Sequence, residues 1–210
     1  MTKPGLPRFL WLIFFLPILH ACSSVGLKEP GVENRPAYQQ RAGLLSAAET
    51  WGLVGKISLD DGDRGGSGKL RWNVEPGQSE LNFHGAMGRG AWRLQSGPES
   101  ALLQMADGTE QSAANVNELI AENVGWPVPL DALHWWARGL AAPGPAENEE
   151  IGPDGLLVSL NQFGWQVNFT RYSAVKGIDL PVRLNAKRND YRVKLAISRW
   201  RLDTDDEPAH

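Results

Sequence analysis

Few side chains in this 210-residue sequence are spaced to do chemistry. The single cysteine, Cys22, ends the stretch Leu19-His20-Ala21-Cys22. With no second thiol there is no intramolecular disulfide, so the chemistry on offer is modification of the sulfur. His84 and His134 lie in the body of the chain, and neither sits in a Ser/His/Asp, Cys/His or metal-ligand spacing. Asp60-Asp61-Gly62-Asp63 is dense enough in carboxylates to touch calcium. It lacks the spacing and the bidentate glutamate of an EF-hand loop, and it reads as a hairpin turn. Gly88-Arg89-Gly90 offers a backbone nest for phosphate, but no Gly-x-x-x-x-Gly-Lys pattern accompanies it. Glu147, Glu149 and Glu150 read as a solvated loop. No catalytic residue, metal or cofactor is expected.

Cys22 gains its meaning from what precedes it. Lys3 and Arg8 stand before an apolar run from Phe9 to Leu19, the layout of a secretory signal over residues 1–21. The run is too short for a permanent span, and Pro17 interrupts it. Its Leu-x-Ala-Cys ending resembles a bacterial lipobox. That resemblance implies lipidation of Cys22 on sulfur, removal of the signal before it and acylation of the new amino group. Ser23, where Asp tends to retain such proteins in the inner membrane, implies onward transport to the outer membrane. Each buried methylene contributes about 0.8 kcal/mol, so one chain holds marginally and several hold firmly. A plain secreted protein with a stray cysteine is the alternative.

The formal net charge is −3. Removing Lys3 and Arg8 with the signal leaves 19 basic against 24 acidic side chains, or −5. That balance argues against a nucleic-acid partner, because phosphate binding needs a basic face. Hydrophobic residues make up 42% of the chain, ample for one core. Nine tryptophans are present, and eight remain once Trp11 leaves with the signal. Large aromatics dominate both cores and ligand pockets. As pure core these need no ligand; as a pocket lining they would bind something apolar. From the residues alone both readings stay open.

The elements follow from period and punctuation. Residues 22–35 read as a lipidated N-terminus and flexible tether, with Pro30, Gly31 and Asn34 and no apolar period. Residues 36–50 read as a helix through Tyr38, Ala42 and Leu45. From Trp51 the period becomes two, and turns at Asp60–Asp63, Glu75–Gly77, Ser96–Pro98 and Asp107-Gly108 separate about five strands. Asn115 can cap a helix that runs to Gly125. Pro129 suits a first helical position, and Leu130, Leu133, Trp136, Ala137 and Leu140 form a stripe on a second helix. A polar loop over 143–154 precedes about four more strands, ending near Trp200. Residues 36–202 are expected to be a single domain, and 203–210 a disordered acidic tail. Runs of strands with few helices predict a mainly β, α+β fold, an antiparallel sheet curling around its helices as an unclosed barrel with a cavity.

Three stretches together resemble the outer-membrane lipoprotein receptor family LolB. Trp51-Gly52-Leu53-Val54-Gly55-Lys56-Ile57 is similar to the opening of its sheet. Gly125-Trp126-Pro127-Val128-Pro129-Leu130, with Leu133, Trp136 and Gly139-Leu140, is similar to its Pro-x-Pro-Leu helix start and Trp-x-x-Gly-Leu ending. His84-Gly85-Ala86-Met87-Gly88 is similar to its protruding loop.

The resemblance implies an unclosed antiparallel barrel with about three helices over a hydrophobic cavity. It implies a non-enzymatic role: accepting acylated lipoproteins from the periplasmic carrier LolA and inserting them into the outer-membrane bilayer, driven by affinity and without nucleotide. The expected cavity lining, assigned from strand and helix faces, is Trp72, Phe83, Trp92, Leu133, Trp136 and Leu140. The expected membrane-insertion loop is Ala86, Met87 and Gly88, with Met87 where the family carries an exposed leucine. A monomer is expected. The rivals are a structural, scaffolding outer-membrane lipoprotein with a solid tryptophan core, and a membrane-anchored enzyme, for which no catalytic constellation is visible.

Overall fold

The computed structural model describes residues 35–86 and 90–203. The signal at 1–21, Cys22, Ser23, the tether through residue 34, Met87 to Arg89 and the tail from residue 204 lie outside the described residues. Helix α1 (Arg35–Ala47) leads into six strands: β1 (Thr50–Asp60), β2 (Gly65–Glu75), β3 (Gln78–Gly85), β4 (Trp92–Ser96), β5 (Ala101–Met105) and β6 (Glu110–Ala113). Helices α2 (Val116–Val124) and α3 (Leu130–Ala137) follow. Five strands complete the chain: β7 (Ala146–Ile151), β8 (Leu157–Gln162), β9 (Trp165–Val175), β10 (Ile178–Arg188) and β11 (Tyr191–Asp203).

All eleven strands join one antiparallel sheet in the order β6-β5-β4-β3-β2-β1-β11-β10-β9-β8-β7. Each half is a meander of sequence neighbours, and the β1–β11 pairing welds the halves together. β6 and β7 are free edges, so the sheet curls without closing. The alternation along β1 and β2 follows the period-two reading: Trp51, Leu53 and Ile57 face inward, as do Leu70, Trp72 and Val74 opposite. One core joins Leu94 and Leu103 on one half, Leu133 on α3, and Leu160 and Val167 on the other half. Fully burying a side chain of this size contributes about 1.5–3 kcal/mol. The helices fill the interior because the two sheet halves leave them no other apolar surface to cover.

Four sequence expectations need correction. The polar loop at 143–154 contains β7, so Glu147, Glu149 and Glu150 lie on an edge strand paired to β8. β6 is likewise invisible in the pattern. Both are held by backbone pairing on one side only, and their side chains are mostly exposed, so no apolar alternation marks them. α1 ends at Ala47, and Thr50 already pairs with Asp203, which places Asp203 in β11 rather than in the tail. Pro129 is the N-cap of α3, at φ −68 and ψ 108, and the helix begins at Leu130. Asn115 caps α2 as expected: its side chain accepts from Asn117 N and Glu118 N, and Gly125 closes the helix in the left-handed region at φ 75.

Candidate functional site

The strand ends gather at one rim of the barrel. There the β1–β2 turn, Gly90 ahead of β4, the end of β5, the end of α2 and the start of β11 surround a cleft of about 450 Å³. Its apolar wall includes Leu59, Phe83, Trp92, Met105, Val124 and Trp126, with Tyr191 beside them. Asp60, Asp61, Arg64 and Asn123 form its polar rim.

Three rings build the wall. Phe83 stacks on Trp92 at 5.4 Å between centroids, and Trp126 meets both edge-on, at 5.2 Å from Phe83 and 5.1 Å from Trp92. Offset and edge-to-face rings gain about 0.5–1.5 kcal/mol beyond their buried area. Sequence explains the juxtaposition. Phe83 and Trp92 are direct partners across β3 and β4, and Gly125 turns the chain so that Trp126 drops back onto them. Phe83 also lies over Gly68 of β2, where there is no Cβ to meet it. Trp92 Nε1 is buried, and no described residue accepts a hydrogen bond from it.

The acidic turn behaves as a turn. Asp60 Oδ1 accepts from Gly62 N at 2.9 Å, and Asp61 Oδ1 accepts from Arg64 N and Asp63 N. Those amide bonds, Arg64's first, hold the Asp61 carboxyl below its usual range. No group of three or more potential metal ligands occurs among the described residues.

The opposite rim is polar and tighter. A cleft of about 260 Å³ there touches Trp72, Leu81, Leu94, Leu130, His134 and Trp135. His134 sits edge-on to Trp51 at 5.0 Å and to Trp72 at 6.1 Å. Burial, and then the charge of Arg138, push its pKa down to about 4, so it is neutral near pH 7. Arg138 is buried with its guanidinium 4.8 Å from the Trp135 ring centre and 5.3 Å from that of Trp51. It donates to Leu45 O at 2.7 Å and to His134 O at 3.2 Å, and burial lowers its pKa to about 10. Arg41 of α1 donates to the Arg138, Gly139 and Asp179 carbonyls. These two buried cations use backbone carbonyls to tie α1 to the end of α3. Gly139 belongs to the same knot: at φ 74, any Cβ it carried would strike the Tyr172 hydroxyl.

The six residues expected to line one cavity therefore separate. Phe83 and Trp92 border the larger cleft, and Trp72 borders the smaller one. Leu133, Trp136 and Leu140 border neither; they are packed in the core at 0%, 0% and 2% exposure. The stripe on α3 is its apolar face, as expected, but that face seats the helix and leaves no open space. Trp126, Met105, Leu59 and Tyr191 join the lining, although strand and helix faces alone do not assign them to it. Their signal is positional, since each stands at the end of an element on the cleft's rim. Of the expected insertion loop, Ala86 is exposed at the end of β3, and Met87 and Gly88 lie outside the described residues.

The family model for the outer membrane lipoprotein LolB matches residues 49–200. The chain belongs to this family. An outer-membrane lipoprotein LolB of Pseudomonas fluorescens is 32% identical, covering 92% of this chain and 95% of its own. One from Alkalilimnicola ehrlichii is 33% identical over 88% of this chain and 92% of its own. Among solved structures, a domain from Vibrio parahaemolyticus described as an outer membrane lipoprotein-sorting protein shares the fold, with a TM-score of 0.53 at 10% identity over 83% of this chain and 94% of that one. LolB membership makes this a lipid-anchored outer-membrane protein with a part in lipoprotein localisation; LolB is not an enzyme family.

Proposed function

We propose that this chain accepts acylated lipoproteins from the periplasmic carrier LolA into the aromatic-walled cleft and places them in the inner leaflet of the outer membrane. No nucleotide is used and no bond is broken. The observation that carries this reading is the cleft itself, whose apolar wall of Phe83, Trp92 and Trp126 opens at the rim where Gly90 and the end of β5 lie. Its volume falls within the range of sites that bury most of a small ligand, about 300–1,000 Å³.

The mechanism is a descent in free energy. An exposed acyl methylene costs about 0.8 kcal/mol, so a free lipoprotein in water is strongly disfavoured. Cargo moves from carrier to receptor when the receptor's wall binds the chains better, and from receptor to bilayer when the bilayer binds them better still. Met87 belongs to this reading as the apolar contact with the bilayer, a flexible side chain suited to shallow insertion.

The test is to mix the full chain with a carrier loaded with lipoprotein and follow the cargo. Cargo that passes to this chain and then into vesicles without nucleotide supports the reading. Cargo that stays on the carrier while the chain is folded favours the scaffolding alternative, to which the packed core around Leu133, Trp136 and Leu140 already lends weight.

A further inference from the structure

The chain's net negative charge hides a strongly basic wall. Lys56 of β1 stands directly opposite Lys69 of β2, Lys187 of β10 opposite Arg192 of β11, and Arg171 of β9 opposite Arg183 of β10. All six side chains are exposed, and none forms a salt bridge with a described residue. The registers chain these pairs into rows on the outer face: Lys69, Lys56, Ala196, Arg183 and Arg171 follow one another across five strands. The next row towards the cleft rim holds Lys194, and the one beyond it Lys187 and Arg192. Asp60, opposite Arg192, is the one carboxylate of these rows within the five strands; the Lys194 row reaches Glu150 only two strands further on, in β7. On the far side, Arg71 and Arg199 both pair with Val54, which extends the wall.

This arrangement works against folding. Directly opposed side chains of an antiparallel pair stand about 5 Å apart at Cβ, and like charges there destabilise the sheet. An anionic surface laid over three such pairs on adjoining strands relieves this repulsion.

We propose that the outer wall of β2, β1, β11, β10 and β9 is an electrostatic docking surface for anionic phospholipid headgroups. The inference rests on the family's outer-membrane location and not on cargo transfer. Two observations choose the occupant. Between the cations the wall presents Ser58, Asn168 and Asn185, with no exposed aromatic or large apolar anchor in these rows. Stable protein interfaces concentrate their energy in such anchors and are depleted in lysine, whereas adsorption to headgroups needs only cations near the surface. The wall also begins at the rim that holds the cleft, where Tyr191 and Asp60 border both. A domain lying on this wall brings the cleft mouth to the membrane surface.

The test uses the full chain purified from membranes and reconstituted in vesicles. A fluorophore is placed on Ser58→Cys, in the middle of the wall, and its quenching by headgroup-labelled lipid is measured. Phosphatidylcholine vesicles are compared with vesicles that also contain phosphatidylglycerol. Strong quenching that appears only with phosphatidylglycerol and is lost in high salt is the expected result. The triple variant Lys69→Glu, Arg171→Glu, Lys187→Glu then separates adhesion from folding. It turns three repulsive pairs into attractive ones, so its melting temperature rises while the quenching is lost. Equal quenching in both vesicles, or quenching unchanged by the triple variant, overturns the proposal. So does a salt-dependent contact that the variant loses with the loaded carrier but that vesicles never show, which would assign the wall to an acidic protein. Cargo uptake is measured on the same preparations: intact uptake without quenching defeats this inference alone, and failed uptake with quenching defeats the transfer reading alone.

Discussion

Trp136 Nε1 donates to Gln162 Oε1 at 3.0 Å in the centre of the core, and that bond defines what Trp136 does. The same oxygen accepts from Ala142 N at 3.0 Å, and Gln162 Nε2 donates to Ala142 O at 2.8 Å. One fully buried amide thus clamps α3, the segment after it and β8 together. Replacing it with leucine strands three polar groups, each at about 1–3 kcal/mol. Gln162→Leu is therefore expected to lower unfolding stability by at least about 3 kcal/mol, read as a drop in the urea midpoint. Trp136→Phe leaves a cavity where the larger indole stood, but Gln162 Oε1 keeps its bond from Ala142 N and no polar group is stranded, so it should cost less. An unchanged midpoint for Gln162→Leu would show that the clamp does not hold the helix.

The cleft predicts a different response at its rim. Met105 is half-buried at the end of β5, so a lysine there can reach solvent without breaking the core. Met105→Lys is expected to weaken displacement of a fluorescent apolar probe by acyl cargo at least about tenfold, near 1.4 kcal/mol, with little change in melting. Leu44→Lys, on the exposed face of α1, is the matched control and should leave probe binding unaltered. Equal affinity in the two variants would place the apolar site elsewhere.

Gly68 and Phe83 make the wall sensitive from behind. A Cβ at Gly68 would stand 2.5 Å from the Phe83 ring and would also strike the His84 carbonyl. The carbonyl is backbone and cannot swing aside, so Phe83 must move off Trp92 and Trp126. Gly68→Ala should cost about 1–3 kcal/mol through overpacking and should alter tryptophan emission. A variant with wild-type stability and emission would mean that the strands slide apart freely at this point.

The inward face of the strands is legible in sequence because period two survives wherever one side is buried, as in Trp51, Leu53 and Ile57. The helix stop at Gly125 is legible because a left-handed residue has a chemical signature. What stays hidden depends on strands far apart in the chain. The opposition of Lys187 and Arg192 spans a hairpin, but the row from Lys69 to Arg171 exists only once β1 pairs with β11. Net charge averages such a wall away. The buried Arg41 and Arg138 are hidden for a related reason: their partners are carbonyls, which no sequence pattern displays. Face alone cannot separate core from cleft, because Trp136 and Phe83 both point inward, and only their places along the barrel, Trp136 at the centre and Phe83 at the rim, tell them apart.

His134 gives the fold a pH dependence whose sign can be worked out. In the unfolded chain its imidazole takes up a proton near its ordinary value of 6.5; in the fold it does so only near 4. As pH falls between those values the unfolded state binds more protons, so stability declines with falling pH and is fully present above about 6.5. Each tenfold weakening of proton binding corresponds to about 1.4 kcal/mol, and partial solvent contact reduces the sum, so the loss is of order 2–3 kcal/mol by pH 4. Carboxylates also titrate in this range, so the measurement is a difference. Urea midpoints of the wild type and of His134→Gln are followed from pH 7.5 to about 4. The wild type should fall more steeply, and the two curves should converge at the acid end. Parallel curves would mean that the imidazole takes up its proton at the same pH in the fold as in the unfolded chain, so that neither burial between Trp51 and Trp72 nor the Arg138 charge acts on it.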